Sequence, residues 1–104
     1  MSWLILFFAG IFEICWAVGL KYSSGFTKFW PSVFTVLSMI ISMILLAIAV
    51  KEIPIGTGYA VWTGIGAVGT AILGIFLFSE SSELIRLFFI FLIVIGIAGL
   101  KIFS

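Results

Sequence analysis

Glu13 is the one formally charged side chain between Trp3 and Leu20, in a run otherwise made of residues that dissolve in lipid. A carboxylate in such a place is costly, so it should face a partner or a water-filled cavity, and it marks an ion or substrate path. Steps of three and four from Glu13 collect Leu6, Ala9, Gly10, Trp16, Ala17 and Leu20 on one helical face. Small residues at Ala9, Gly10 and Ala17 leave space beside the carboxylate, and Trp16 sets an indole one turn away.

Three further groups could complete a site. Thr35, Ser38 and Ser42 fall three and four apart, so their hydroxyls form a stripe able to orient a carboxylate or bond a substrate. The same hydroxyls could instead bond their own backbone carbonyls. Tyr59 and Trp62 lie one turn apart, with Thr63 and Gly66 continuing that side. Aromatic faces attract cations, more strongly once desolvated, so a carboxylate with nearby aromatic rings suits an organic cation.

These residues must be held by membrane helices. Of 104 residues 64% are hydrophobic and 9% charged, far from a soluble domain, and the mean hydropathy is +1.47. Apart from Glu13 and Lys101, the charges cluster in short segments, at Lys21 and Lys28, at Lys51 and Glu52, and at Glu80, Glu83 and Arg86. Between them lie four apolar runs, roughly 3–20, 29–50, 55–78 and 84–103, each about the 17 to 25 residues a transmembrane helix needs. The expected fold is therefore an all-α, four-helix transmembrane domain spanning 1–104. Barrel strands would be shorter and alternate in polarity. The first run lacks the basic start and small-residue cleavage pattern of a secretion signal, so it is expected to remain. One cysteine and no histidine exclude an intrachain disulfide and leave a zinc or haem site without its usual ligands. No cofactor, metal, enzymatic chemistry or nucleic-acid partner is expected.

Four spans put both termini and the second loop on one side, with Lys51 and Lys101, against Lys21, Lys28 and Arg86 on the other. A difference of two against three hardly selects an orientation. Copies are therefore expected to insert both ways and pair antiparallel, because four helices are too few to enclose a polar passage. In the third run Gly66, Thr70 and Gly74 form a row of small residues suited to close helix approach, while Gly64 and Gly66 could host a bend. In the fourth, only Gly96, Ala98 and Gly99 interrupt a large apolar surface, which should face lipid or a second subunit.

Glu13, the run Tyr59-Ala60-Val61-Trp62-Thr63-Gly64-Ile65-Gly66, the loop Gly25-Phe26-Thr27 and the helix start Trp30-Pro31-Ser32 together resemble the small multidrug resistance family over essentially the whole chain. Its quaternary-ammonium exporters usually carry Gly-Thr just after the central glutamate. This chain has Glu13-Ile14-Cys15-Trp16, and with Trp62-Thr63-Gly64-Ile65-Gly66-Ala67 and Gly99-Leu100-Lys101 it is similar to the guanidinium-exporting subtype. The resemblance implies an antiparallel homodimer in the bacterial cytoplasmic membrane, with Glu13 of both copies in one central site, exporting a guanidinium-type cation in exchange for protons. It further implies that Ser42 and Trp16 hold Glu13, that Tyr59 and Trp62 line the site with Gly10, Ser38 and Thr63 nearby, and that Gly96 and Gly99 pack the dimer. One departure is Phe89, which stands seven residues before Gly96 where the family often has glycine.

Burial and a like charge both disfavour the ionised form of a carboxylate, so protons should compete with a cation for Glu13. Two other functions stay open from the residues alone. One is a broad quaternary-ammonium exporter, separable by assaying guanidinium against a tetraalkylammonium ion. The other is a non-transporting membrane subunit, which would show no cation-linked proton release when purified alone.

Overall fold

A computed structural model describes residues 1–103. Four helices follow one another, α1 (Ser2–Tyr22), α2 (Phe29–Ala49), α3 (Ile55–Phe78) and α4 (Leu84–Ile102). Each is long and apolar enough to cross a membrane, as continuous runs of lipophilic side chains with internally bonded backbone must be. The chain is a multi-pass membrane protein, and its outward Phe, Leu and Ile side chains are those a lipid environment accepts.

The connections are short and locally bonded. After α1, Ser23 Oγ donates to the Leu20 carbonyl at 2.8 Å and accepts the Phe26 amide at 3.1 Å. Ser24, Gly25 and Phe26 then take positive φ in succession, at 49°, 74° and 67°, so a glycine sits in a left-handed turn that side chains adopt only reluctantly. Pro31 follows in the first turn of α2, where its missing N–H removes no helical bond. Ser2 Oγ donates to Glu52 at 2.8 Å, and the Lys101 ammonium lies 5.3 Å from the Trp3 ring centre. Both termini and the second loop thus gather at one end, as four spans require.

Helix α1 is the centre of the arrangement. It packs against α2 on one side and α3 on the other, α2 barely meets α3, and α4 lies along α3, reaching α1 only through Lys101 over Trp3. The buried apolar core is correspondingly small, built on Leu6, Ala9, Ala49, Ile53, Val61 and Trp62. No residue of α4 is buried. The Cβ positions at Gly96 and Gly99 meet only open space within 4 Å, so this helix has close packing capacity that the single protomer does not use.

Candidate functional site

The α1–α3 contact is made by side chains of α1 entering glycine positions of α3. Ile14 fills the position at Gly69, and the Glu13 carboxyl lies where a Cβ at Gly66 would be. In the opposite sense, Ile65 of α3 presses on Gly10 of α1. Only glycine at position 66 lets the carboxylate lie flat on the α3 backbone.

From there a cavity of about 490 Å³ runs between α1 and α3 toward the α3–α4 loop. Glu13, Ala17 and Lys21 line it from α1, Thr63, Gly66, Ala67 and Thr70 from α3, and Glu80 and Arg86 close its far end. Three buried polar atoms of the described residues have no hydrogen-bond partner: Glu13 Oε1, Trp16 Nε1 and Thr70 Oγ1. Leaving one such group unbonded costs about 1–3 kcal/mol, and more for a charged one. Two of the three residues, Glu13 and Thr70, face the same cavity.

On the other side of α1 three polar groups bond one another. Trp62 Nε1 donates to Ser42 Oγ at 2.9 Å, and Ser42 Oγ donates to the Ala9 carbonyl at 2.7 Å, all buried. In an α-helix the Ala9 carbonyl is also the acceptor of the Glu13 amide. The α2 hydroxyl and the α3 indole therefore brace the turn of backbone that carries Glu13 without touching its carboxyl.

Within one protomer the expected site residues divide into those that line this cavity and those that do not. Ser42 does not bond the Glu13 carboxylate within one protomer, because Ala9 and Trp62 already take its proton and a lone pair. Within one protomer the α2 stripe packs inward: Thr35 donates to its own Pro31 carbonyl at 2.8 Å and crowds Gly19, and Ser38 is buried along the same face. Neither Tyr59 nor Trp62 lines the Glu13 cavity of the protomer. Their rings meet at a tilt of 49°, centroids 5.6 Å apart, with Trp62 buried toward Ser42 and Tyr59 exposed. Gly10 is filled by Ile65 and is not part of this cavity's lining, whereas Thr63 is.

Helix α3 runs unbroken through Gly64 and Gly66, and both are positions of close contact, Gly64 with Ile93 and Ile97 of α4 and Gly66 with Glu13. Spacing marks Thr70 only as part of a packing row and Glu80 and Arg86 only as loop charges, yet all three line the cavity.

The profile of a family described as "Small Multidrug Resistance protein" matches residues 1–93. Among curated relatives, a "Guanidinium exporter" of Proteus vulgaris is 59% identical over 104 residues, covering the whole of both chains. The protein of that name from Escherichia coli K12 is 61% identical over 102 residues, 98% of this chain and 97% of its own. That of Yersinia pseudotuberculosis is 57% identical over the full length of both.

Proposed function

The chain belongs to the small multidrug resistance family, whose arrangement is the antiparallel homodimer, and on that premise we propose that it is a proton-coupled antiporter exporting guanidinium and small substituted guanidinium ions through Glu13. Relatives named as guanidinium exporters, 57–61% identical over nearly full length, support guanidinium as the cargo. The observation that carries the site assignment is the Glu13 carboxyl, held over Gly66 at the head of a cavity with one oxygen unbonded.

Guanidinium is planar and presents paired N–H groups that match the two oxygens of a carboxylate, giving charge-assisted bidentate bonds. A proton on the same carboxyl removes both the charge and an acceptor. Proton and cation therefore exclude one another at Glu13. A dimer that exchanges its open side only when loaded with one or the other converts that exclusion into exchange, and the proton gradient expels the cation. Nothing covalent is needed. With Glu13 of both copies in one site, the two carboxyls titrate as a pair, and any apparent proton affinity belongs to the site rather than to either copy.

The test is guanidinium uptake into proteoliposomes driven by a proton gradient. Glu13→Gln keeps the size and polarity of the side chain, so a folded dimer is expected by size-exclusion chromatography, with uptake reduced to that of empty liposomes. Uptake by this variant at the wild-type rate would refute the role of Glu13. On detergent-purified protein, adding guanidinium should release protons from the wild type and none from the variant.

A further inference from the structure

The cavity that starts at one carboxylate ends at another. Gly66, Thr70 and Gly74 recur every fourth residue on α3, so they share a face and climb about 12 Å from first to last. The bare backbone at Gly66 carries the Glu13 carboxyl, and the bare backbone at Gly74 carries the Glu80 carboxyl. Between them Thr70 presents its buried, unpartnered hydroxyl. The row expected to pack helices instead seats an acid at each end of one passage.

Glu80 is placed there by the backbone. Ser79 ends α3 in the left-handed region, φ 54°, and the Glu80 amide donates back to the Gly74 carbonyl at 3.2 Å, folding the chain over the helix end. Its carboxylate is then occupied by Arg86, whose Nη2 lies 2.8 Å from Oε1 while Nη1 donates to the Ser81 carbonyl. Lys21 shares this mouth, but its ammonium lies over the Phe78 ring, 5.7 Å from the centre. The group seated on the outer carboxylate is thus a guanidinium.

We propose that Glu80 is an outer binding station for guanidinium-type cations and that Arg86 is a tethered competitor that fills it between substrate ions. This rests on the reading that Glu13 takes the same cation at the inner end. Arg86 and a free guanidinium ion are donor-only, planar and matched to the same acceptors. The pair is 31% and 45% exposed, and exposed ion pairs are weak enough for a solute to displace. A cation that displaces Arg86 meets the Thr70 hydroxyl on the Gly66–Thr70–Gly74 face before it reaches Glu13. Because the family's dimer is antiparallel, one such mouth opens on each side of the membrane.

The proposal makes a prediction of opposite signs for two variants that break the same pair. In proteoliposome uptake, Arg86→Gln removes the competitor and should lower KM for guanidinium about two- to fivefold, the range an exposed pair can contribute. Glu80→Gln removes the station and should raise KM by a similar factor, with kcat within about twofold of wild type in both. Arg86→Lys keeps the charge but cannot reach Ser81 and Glu80 together, and should fall between wild type and Arg86→Gln. If Arg86 only staples the loop, both glutamine variants move KM in the same direction, and that result, or no change in either, overturns the proposal. Glu13→Gln in the same assay separates the two readings. Uptake persisting without Glu13 is a failure of the central site, whereas same-sign KM changes with Glu13 still essential are a failure of the outer station alone.

Discussion

The two faces of α1 carry similar polar inventories and treat them in opposite ways. Toward α2, the Ser42 hydroxyl, the Trp62 indole and the Ala9 carbonyl satisfy one another in a buried chain, and Thr35 bonds its own helix. Toward α3, the Glu13 carboxyl and the Thr70 hydroxyl are buried beside a cavity with bonding capacity left over. A protein selected for stability alone would close both faces, since each unbonded polar group costs free energy. The open face is where a ligand or a second copy has something to offer, and the closed face is what keeps it in register.

The same pairing of faces exists in the glycines, and it offers the harshest test of the contrast. Gly19 receives the Thr35 side chain from α2, and Gly66 receives the Glu13 carboxyl. At Gly19 alanine overpacks the stiff, β-branched Thr35, at a cost of about 1–3 kcal/mol partly offset by the roughly 0.5–1 kcal/mol that alanine gains over glycine within a helix, whereas at Gly66 it meets only the flexible end of Glu13, which can swing aside. The difference should be in where the loss appears. Gly66→Ala displaces the carboxylate itself, so guanidinium KM should rise about tenfold or more, while the melting temperature in detergent changes little. Gly19→Ala should lower the melting temperature and leave KM within about twofold. Equal effects on KM would mean that the two faces do not divide structure from function.

A smaller effect is expected at the brace. Ser42→Ala leaves the Trp62 N–H without an acceptor and the Ala9 carbonyl with its helical bond alone. Interhelical hydrogen bonds in membranes contribute about 0.6–2 kcal/mol, and that loss should appear in denaturant titration of the detergent-solubilised protein. Since the hydroxyl holds the backbone turn and not the carboxyl, KM should change only about twofold. A Ser42→Ala protein of normal stability that no longer binds guanidinium would move Ser42 from the brace into the site.

The helical spans and the central acid were legible because both are one-dimensional signals. Charges confined between apolar runs mark where the chain leaves the membrane, and Glu13 stands alone in its span. What lay beyond the sequence was the rotation of each helix about its axis. Spacing placed Thr35, Ser38 and Ser42 on one face of α2, but which neighbour that face meets depends on packing, and it meets the small residues of α1. The row Gly66, Thr70, Gly74 was recognised as small, yet a row of small residues admits a helix backbone or a flat carboxyl equally well. Glu80 and Arg86 looked like loop charges because nothing in their spacing shows that Ser79 turns left-handed and folds them back over α3.

Thr70 gives the finest test of the contrast, because its hydroxyl either serves the passage or serves nothing. Valine has nearly the same shape and lacks the oxygen. Replacing a buried hydroxyl that has no partner removes a desolvation penalty, so Thr70→Val should stabilise the protein by about 1 kcal/mol or leave it unchanged. If guanidinium ions use this oxygen as an acceptor between Glu80 and Glu13, the same substitution should raise KM about two- to fivefold, the scale of a single neutral hydrogen bond. Stability and affinity would then move in opposite directions at one residue. That combination cannot come from general damage to the fold, which lowers both, whereas a Thr70→Val protein with wild-type KM would restrict the functional polar groups of this cavity to its carboxylates.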